Sequence, residues 1–157
     1  MKYLINLLII SLLSSCMASK NVVNNRTYAL RLRPNQDLKQ EIVAFAKEHN
    51  IQAGYVITCV GSLKKASLRF ANQPNATNFE DKFEIVSLVG TLSFDSGAHL
   101  HASISDGMGK TIGGHLMDGN IVYTTAEIII GEVLDVQFSR RLDSISTYNE
   151  LFIEKKQ

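Results

Sequence analysis

The sequence predicts an α+β domain: an antiparallel β-sheet with one main N-terminal helix packed on it. Only one stretch, residues 38–49, spaces its apolar side chains for a helix, with Leu38, Ile42 and Phe45 at i, i+4 and i+7. The remainder falls into short alternating or β-branched runs, of which residues 121–133 are the most strongly β-forming. Short strands with a single early helix are the pattern of a sheet that carries its helix on one face. There is no internal repeat and no low-complexity segment.

Residues 1–16, MKYLINLLIISLLSSC, stand outside this domain. Lys2 gives a positive start, and the apolar stretch that follows is too short to span a bilayer comfortably. Leu13-Ser14-Ser15-Cys16 resembles a bacterial lipobox, so residues 1–15 are expected to be a lipoprotein signal peptide and Cys16 the lipidated residue. With Met17 rather than an acidic residue next, the sorting pattern places the protein in the cell envelope, at the outer membrane facing the periplasm in a diderm host. Residues 16–26 read as a polar tether and 27–154 as the folded domain.

Within the domain, residues 27–33 alternate and predict a first strand that Pro34 stops. Asn35 or Asp37 caps the helix; Val43 and Ala46 widen its apolar stripe, and Lys39, Glu41, Lys47 and Glu48 stay wet. His49, next to Asn50 at the helix end, suits the negative end of the helix dipole and is read as structural. Residues 51–60 predict a second strand broken at Gly61-Ser62, and residues 65–71 a third. A polar loop over 72–78 precedes a fourth strand over 83–94. After the histidine-bearing segment come 121–133 and a last strand over 134–140; the tail around 148–153 has enough apolar residues to dock on the body.

The chain has 157 residues, 45% apolar and 20% charged, with a formal net charge of +1. Without Lys2 of the leader, basic and acidic side chains balance at 15 each, which gives no electrostatic case for nucleic acid or an anionic membrane surface. Besides Cys16 the only cysteine is Cys59, in an apolar run, read as a small buried hydrophobe. No disulfide framework and no Cys-x-x-Cys site exists.

The chemistry concentrates in residues 97–120, GAHLHASISDGMGKTIGGHLMDGN, which hold three of the four histidines. His99 and His101 are two apart in an alternating run, so on a strand both imidazoles point to one face. Asp106-Gly107-Met108-Gly109 reads as a turn, after which the chain returns and brings His115 opposite His99 or His101. A register one residue different opposes it to Leu100 instead. Three imidazoles on one face suit zinc or another divalent transition metal and leave a fourth position open. The plainer alternative is a water-facing polar patch, or histidines bonding at a subunit interface.

These motifs resemble a known family, the plant and prokaryote conserved (PPC) domain. The residues that carry the resemblance are His99-Leu100-His101 with Ser103-Ile104-Ser105-Asp106, then Ile112-Gly113-Gly114-His115-Leu116, then the run from Gly119 through Glu127. Gly54, Gly61-Ser62-Leu63, Leu68-Arg69 and Tyr148-Asn149-Glu150-Leu151 also fit. The resemblance implies a homotrimer and, in prokaryotic members, a zinc-like metal on histidines matching His99, His101 and His115. Plant relatives add an AT-hook for DNA; here Arg31-Leu32-Arg33-Pro34 lacks its glycine, and an exported lipoprotein would rarely meet DNA.

Two other residues are candidates for chemistry. Glu127, on a predicted strand, can orient an imidazole, ligate a metal, or act as the base of a metal-dependent hydrolase of unknown substrate; a solvent-facing strand glutamate is the plainer reading. Asp106 can support an imidazole but is more simply a turn residue. There is no phosphate loop and no Gly-x-Ser-x-Gly elbow. The expectation is therefore a trimeric, metal-binding, membrane-tethered module whose role is binding or assembly. A metalloenzyme and a DNA-binding protein are the alternatives.

Overall fold

The computed structural model describes residues 24–156. The leader, the lipobox reading at Cys16 and most of the expected tether lie outside the described residues. In chain order the elements are β1 (Asn25–Leu32), α1 (Leu38–Glu48), β2 (Gly54–Arg69), β3 (Thr77–Phe79), β4 (Phe83–Ser93), β5 (Gly97–Ser105), β6 (Thr111–Leu116), β7 (Ile121–Val133), β8 (Val136–Leu142) and β9 (Asn149–Lys155). No helix among the described residues is long and apolar enough to cross a membrane.

The first strand and the helix stand where the periodicity put them, with β1 starting two residues earlier at Asn25. Asp37 is the helix cap: its Oδ1 accepts from the amides of Lys39 (3.0 Å) and Gln40 (3.1 Å). Its Oδ2 accepts from the amide of Gly119 at 2.6 Å, tying the β6–β7 turn to the helix. Asp37→Ala is therefore expected to cost about 2 kcal/mol, the upper end for a lost cap, because a second, tertiary bond goes with it. Urea denaturation checks this, and a loss under about 0.5 kcal/mol would refute the double role. At the other end His49 stacks on Phe45 with ring centroids 4.0 Å apart, the structural part expected of it.

Leu38, Ile42 and Ala46 are fully buried, and α1 packs over β4, β5 and β7. The core beneath it is aliphatic, including Leu63, Leu68, Leu100, Ile104, Leu116, Ile128 and Ile130. Burial pushes the thiol of Cys59 up to about 12, as befits a small buried hydrophobe. Among the described residues one carboxylate is buried, Glu132, and it accepts from the Tyr28 hydroxyl (2.7 Å) and the Gln52 backbone amide (2.9 Å).

The sheet corrects two expectations. Residues 51–60 and 65–71 are not separate strands: β2 runs unbroken for 16 residues, and Gly61 marks a bulge rather than an end. Register shifts at Val56/Thr58, Gly61/Leu63 and Leu63/Lys65 bend the strand, as bulges do. The bend lets one strand serve two sets of neighbours. Its first part lies between β7 and β4; its far end meets β3 and β6, with Leu68 opposite Leu116 and Arg69 opposite His115. The path β1-β7-β2-β4-β5-β6 thus curls back on itself. The loop read over 72–78 also contributes the short β3.

The second correction concerns the C-terminal segment. The strand begun near residue 134 is not the last, because the tail expected to dock on the body is itself a strand. Residues 149–155 form β9, paired with β8 in a separate two-stranded ribbon. The ribbon leaves Leu142 and Ile145 74% and 92% exposed. It is held to the body by the Phe138 amide on the Gln52 carbonyl (2.9 Å) and by Arg140 on the Thr91 hydroxyl (3.1 Å).

Candidate metal centre

The β5–β6 hairpin positions the three histidines. Its turn is closed by Asp106, whose Oδ1 accepts from the amides of Met108 and Lys110, both at 2.9 Å. Gly109 takes a φ of +80°, open to glycine at little cost. This turn sets Ser105 opposite Thr111, and counting back along the ladder sets His101 opposite His115. Of the registers the sequence left open, the structure adopts the one in which directly paired residues, and hence both imidazoles, share a face. His99 joins them two residues along β5.

The three rings form a compact triangle. Their centroids lie 5.2 Å (His99–His101), 4.9 Å (His99–His115) and 5.4 Å (His101–His115) apart. One nitrogen from each ring can be chosen so that all three lie within 4.8 Å of one another. Nε2 of His99 is 3.3 Å from Nε2 of His101. His101 is exposed; His99 and His115 are half-buried.

Burial, together with the positive charges of His99, Arg69, His101 and Lys39, lowers His115 to about 4. His99 is also lowered, first by burial, then by Arg140 and His101, with Glu150 opposing. Nitrogen ligands must be unprotonated, and the site favours that form of both rings. The donor set therefore fits a divalent transition metal held by three imidazoles.

A pH dependence follows for the metal-free chain. The unfolded His115 ionises near its ordinary 6.5 and the folded one near 4, so as pH falls the unfolded state takes up its proton first. The stability this residue contributes is whole above 6.5 and is lost as pH falls to about 4. Denaturation midpoints measured with a chelator across this window should fall less in His115→Gln than in the parent. Identical curves would refute the assignment.

A cavity of about 770 Å³ opens over the triangle, lined by the three histidines with Arg69, Phe70, the 71–74 loop, Gly113, Gly114 and Tyr148. Gly114 makes its wall possible: a Cβ there would stand 2.8 Å from the Arg69 carbonyl oxygen, so only glycine lets β6 close against the end of β2. Arg69 and Tyr148 fall within the motifs of the family resemblance, but the sequence alone predicts no part for them in the site. No short-range pattern links them to the histidines, because the pairing of β2 with β6 and the fold of the ribbon bring them in.

Glu127 is not at this site. It is exposed on β7, opposite Arg31 on β1 and Val60 on β2. Val60 lies nine residues along β2 from Arg69, the partner of His115, a contour of about 30 Å. Asp106 serves the turn, five residues beyond His101 on an extended strand, and does not support an imidazole.

Residues 19–134 match the Plants and Prokaryotes Conserved (PCC) domain. The chain is 48% identical over 130 residues to a bifunctional protein GlmU of Synechococcus sp. (strain JA-3-3Ab), covering 83% of this chain but 21% of that protein. It thus spans about a fifth of the length of the curated relatives it matches. Among solved structures, a hypothetical protein from Salmonella enterica superposes with a TM-score of 0.84 at 41% identity, covering 87% of this chain and 99% of that one. A metal-containing protein from Archaeoglobus fulgidus superposes with a TM-score of 0.70 at 25% identity, covering 83% and 94%.

Proposed function

This chain belongs to the Plants and Prokaryotes Conserved (PCC) domain family, and from that premise we propose that it is a metal-binding module, acting in binding or assembly rather than in catalysis. The observation that carries the reading is the triangle of imidazole nitrogens, all within 4.8 Å. His99, His101 and His115 would hold zinc or another divalent transition metal, with a further position facing the cavity. Such a cation supplies a Lewis-acid site at which a ligand atom can bind. The similarity to a metal-containing archaeal protein supports the same reading. The hydrolase alternative is weaker, because the base it assigned, Glu127, stands outside the cavity. Elemental analysis of the purified domain tests the proposal: one divalent transition metal per chain is expected, and a metal-free protein that takes up none on dialysis would end it.

The assembly proposed is a homotrimer, as the family resemblance implies. In support, adjacent strands of the sheet leave large aliphatic side chains in water: Ile57 and Val60 on β2, Val86 and Val89 on β4, each more than half exposed. Exposed apolar surface of this kind marks association sites. Val89 is paired with His101, so the apolar strip reaches the metal site. Val60→Asp with Val86→Asp is expected to yield monomers in sedimentation, where the parent sediments at three times the monomer mass; a monomeric parent would remove the trimer. The membrane tether is proposed on the lipobox alone, with Cys16 as the lipidated residue in a bacterial envelope, and Cys16→Ser should release the protein from the membrane fraction.

A further inference from the structure

The cavity over the histidines carries positive charge that nothing among the described residues fully answers. Arg69 leaves β2 directly opposite His115, so its side chain shares the face of the imidazoles. The ion pairs among the described residues are Lys39–Asp118, Lys65–Glu80 and Arg141–Glu154; Arg69 is in none of them. Yet it lines the cavity, close enough for its charge to act on both His99 and His115.

A second cation stands near. Arg140 donates to the hydroxyl of Thr91, the residue paired with His99, and it too has no carboxylate partner among the described residues. The ribbon also brings Glu150, the one acid whose charge acts on His99 in the opposite sense. Two guanidinium groups against one carboxylate leave an excess of positive charge, which a divalent cation on the imidazoles would enlarge. A guanidinium fork suits the paired oxygens of a carboxylate or phosphate. The space, about 770 Å³, is that of a small-molecule site. Phe70, Pro74 and Tyr148 offer apolar surface for a ligand's body, and Asn72 and Gln73 offer amides.

We infer that this cavity takes a small organic oxyanion, a carboxylate or phosphate ester, which Arg69 holds against the metal site. The inference rests on the metal-binding reading above and names the class of ligand for that site. In it Arg69 is a binding residue, and neither a ligand of the metal nor part of the hydrophobic core.

The test loads the full domain with cobalt(II), whose visible absorption reports its own coordination, and titrates in acetate and, separately, inorganic phosphate. Saturable change with at least one probe is expected, and the responding probe tells carboxylate from phosphate. Arg69→Gln should bind cobalt as the parent does but need about tenfold more of that anion or more, given the strength of a charge-assisted bond. Arg69→Lys, which keeps the charge but not the fork, should fall between. If cobalt fails to bind the parent, the metal reading falls and takes this inference with it. If cobalt binds and neither anion moves the spectrum, or if Arg69→Gln responds like the parent, this inference alone falls. Should Arg69→Gln fail to fold, the parent titration and Arg69→Lys still decide.

Discussion

His101→Ala is expected to abolish stoichiometric metal retention, weakening affinity by more than about 100-fold, since loss of an outer-shell partner alone costs 10–100-fold. His101 is paired with His115 across the ladder, and its Nε2 lies 3.3 Å from that of His99. Without it two nitrogens remain, too few for a closed tetrahedral set even with an added ligand. The residue is exposed, so the metal-free fold should hold to within about 0.5 kcal/mol of the parent. This separates ligand loss from misfolding. Zinc at 100 times its dissociation constant should stabilise the parent by about 2.7 kcal/mol and leave the variant unmoved. A zinc-induced rise in melting temperature equal in both proteins would show that the metal, if it binds, binds elsewhere.

Gly90→Ala is expected to cost about 4 kcal/mol or more, the largest effect of any single methyl group near the site. Gly90 holds a φ of +141°, a conformation that L side chains rarely adopt. An added Cβ would also stand 2.0 Å from the carbonyl oxygen of His99 and 2.9 Å from the Cα of Leu100, both backbone atoms that no rotamer change can move. Since Gly90 pairs with Leu100, between His99 and His101, relief must come by parting β4 from β5 where the two imidazoles are mounted. The variant should lose stability and metal affinity together. Gly107→Ala is the control, with nothing within 4 Å of the added carbon and no positive φ. Urea midpoints decide: a Gly90→Ala variant within about 1 kcal/mol of the parent would mean that the strand pair yields cheaply there.

These two residues divide what was readable in the chain from what was not. The histidines announced themselves, because H-x-H on a strand and a turn-forming DGMG are local signals, each complete within a few residues. Gly90 did not: it lies inside a run read as one strand, whose buried face switches from Ile85 to Leu88 at an irregularity between Ile85 and Ser87, and only its pairing with β5 shows why no side chain fits. Gly61 misled in the opposite direction. Its positive φ and the carbonyl oxygen 2.1 Å from its would-be Cβ serve a bulge, where a strand end was read.

By itself, then, the sequence determined the helix and a cap at Asn35 or Asp37, the strand character of most of the rest, the buried fate of Cys59, and the shared face of His99 and His101. Each rests on a period or a cap set by residues a few places apart. Tertiary structure alone decided that His115 faces His101, that β2 continues through its glycine and curls to meet β6, that Arg69 and Tyr148 reach the histidines while Glu127 does not, and that the last two strands form their own ribbon. The physical reason is that alternation along a strand is unchanged by which strand lies beside it. Pairing partner, register and curvature are set by side chains and bulges far apart in the chain, and in this protein those are what assemble the site.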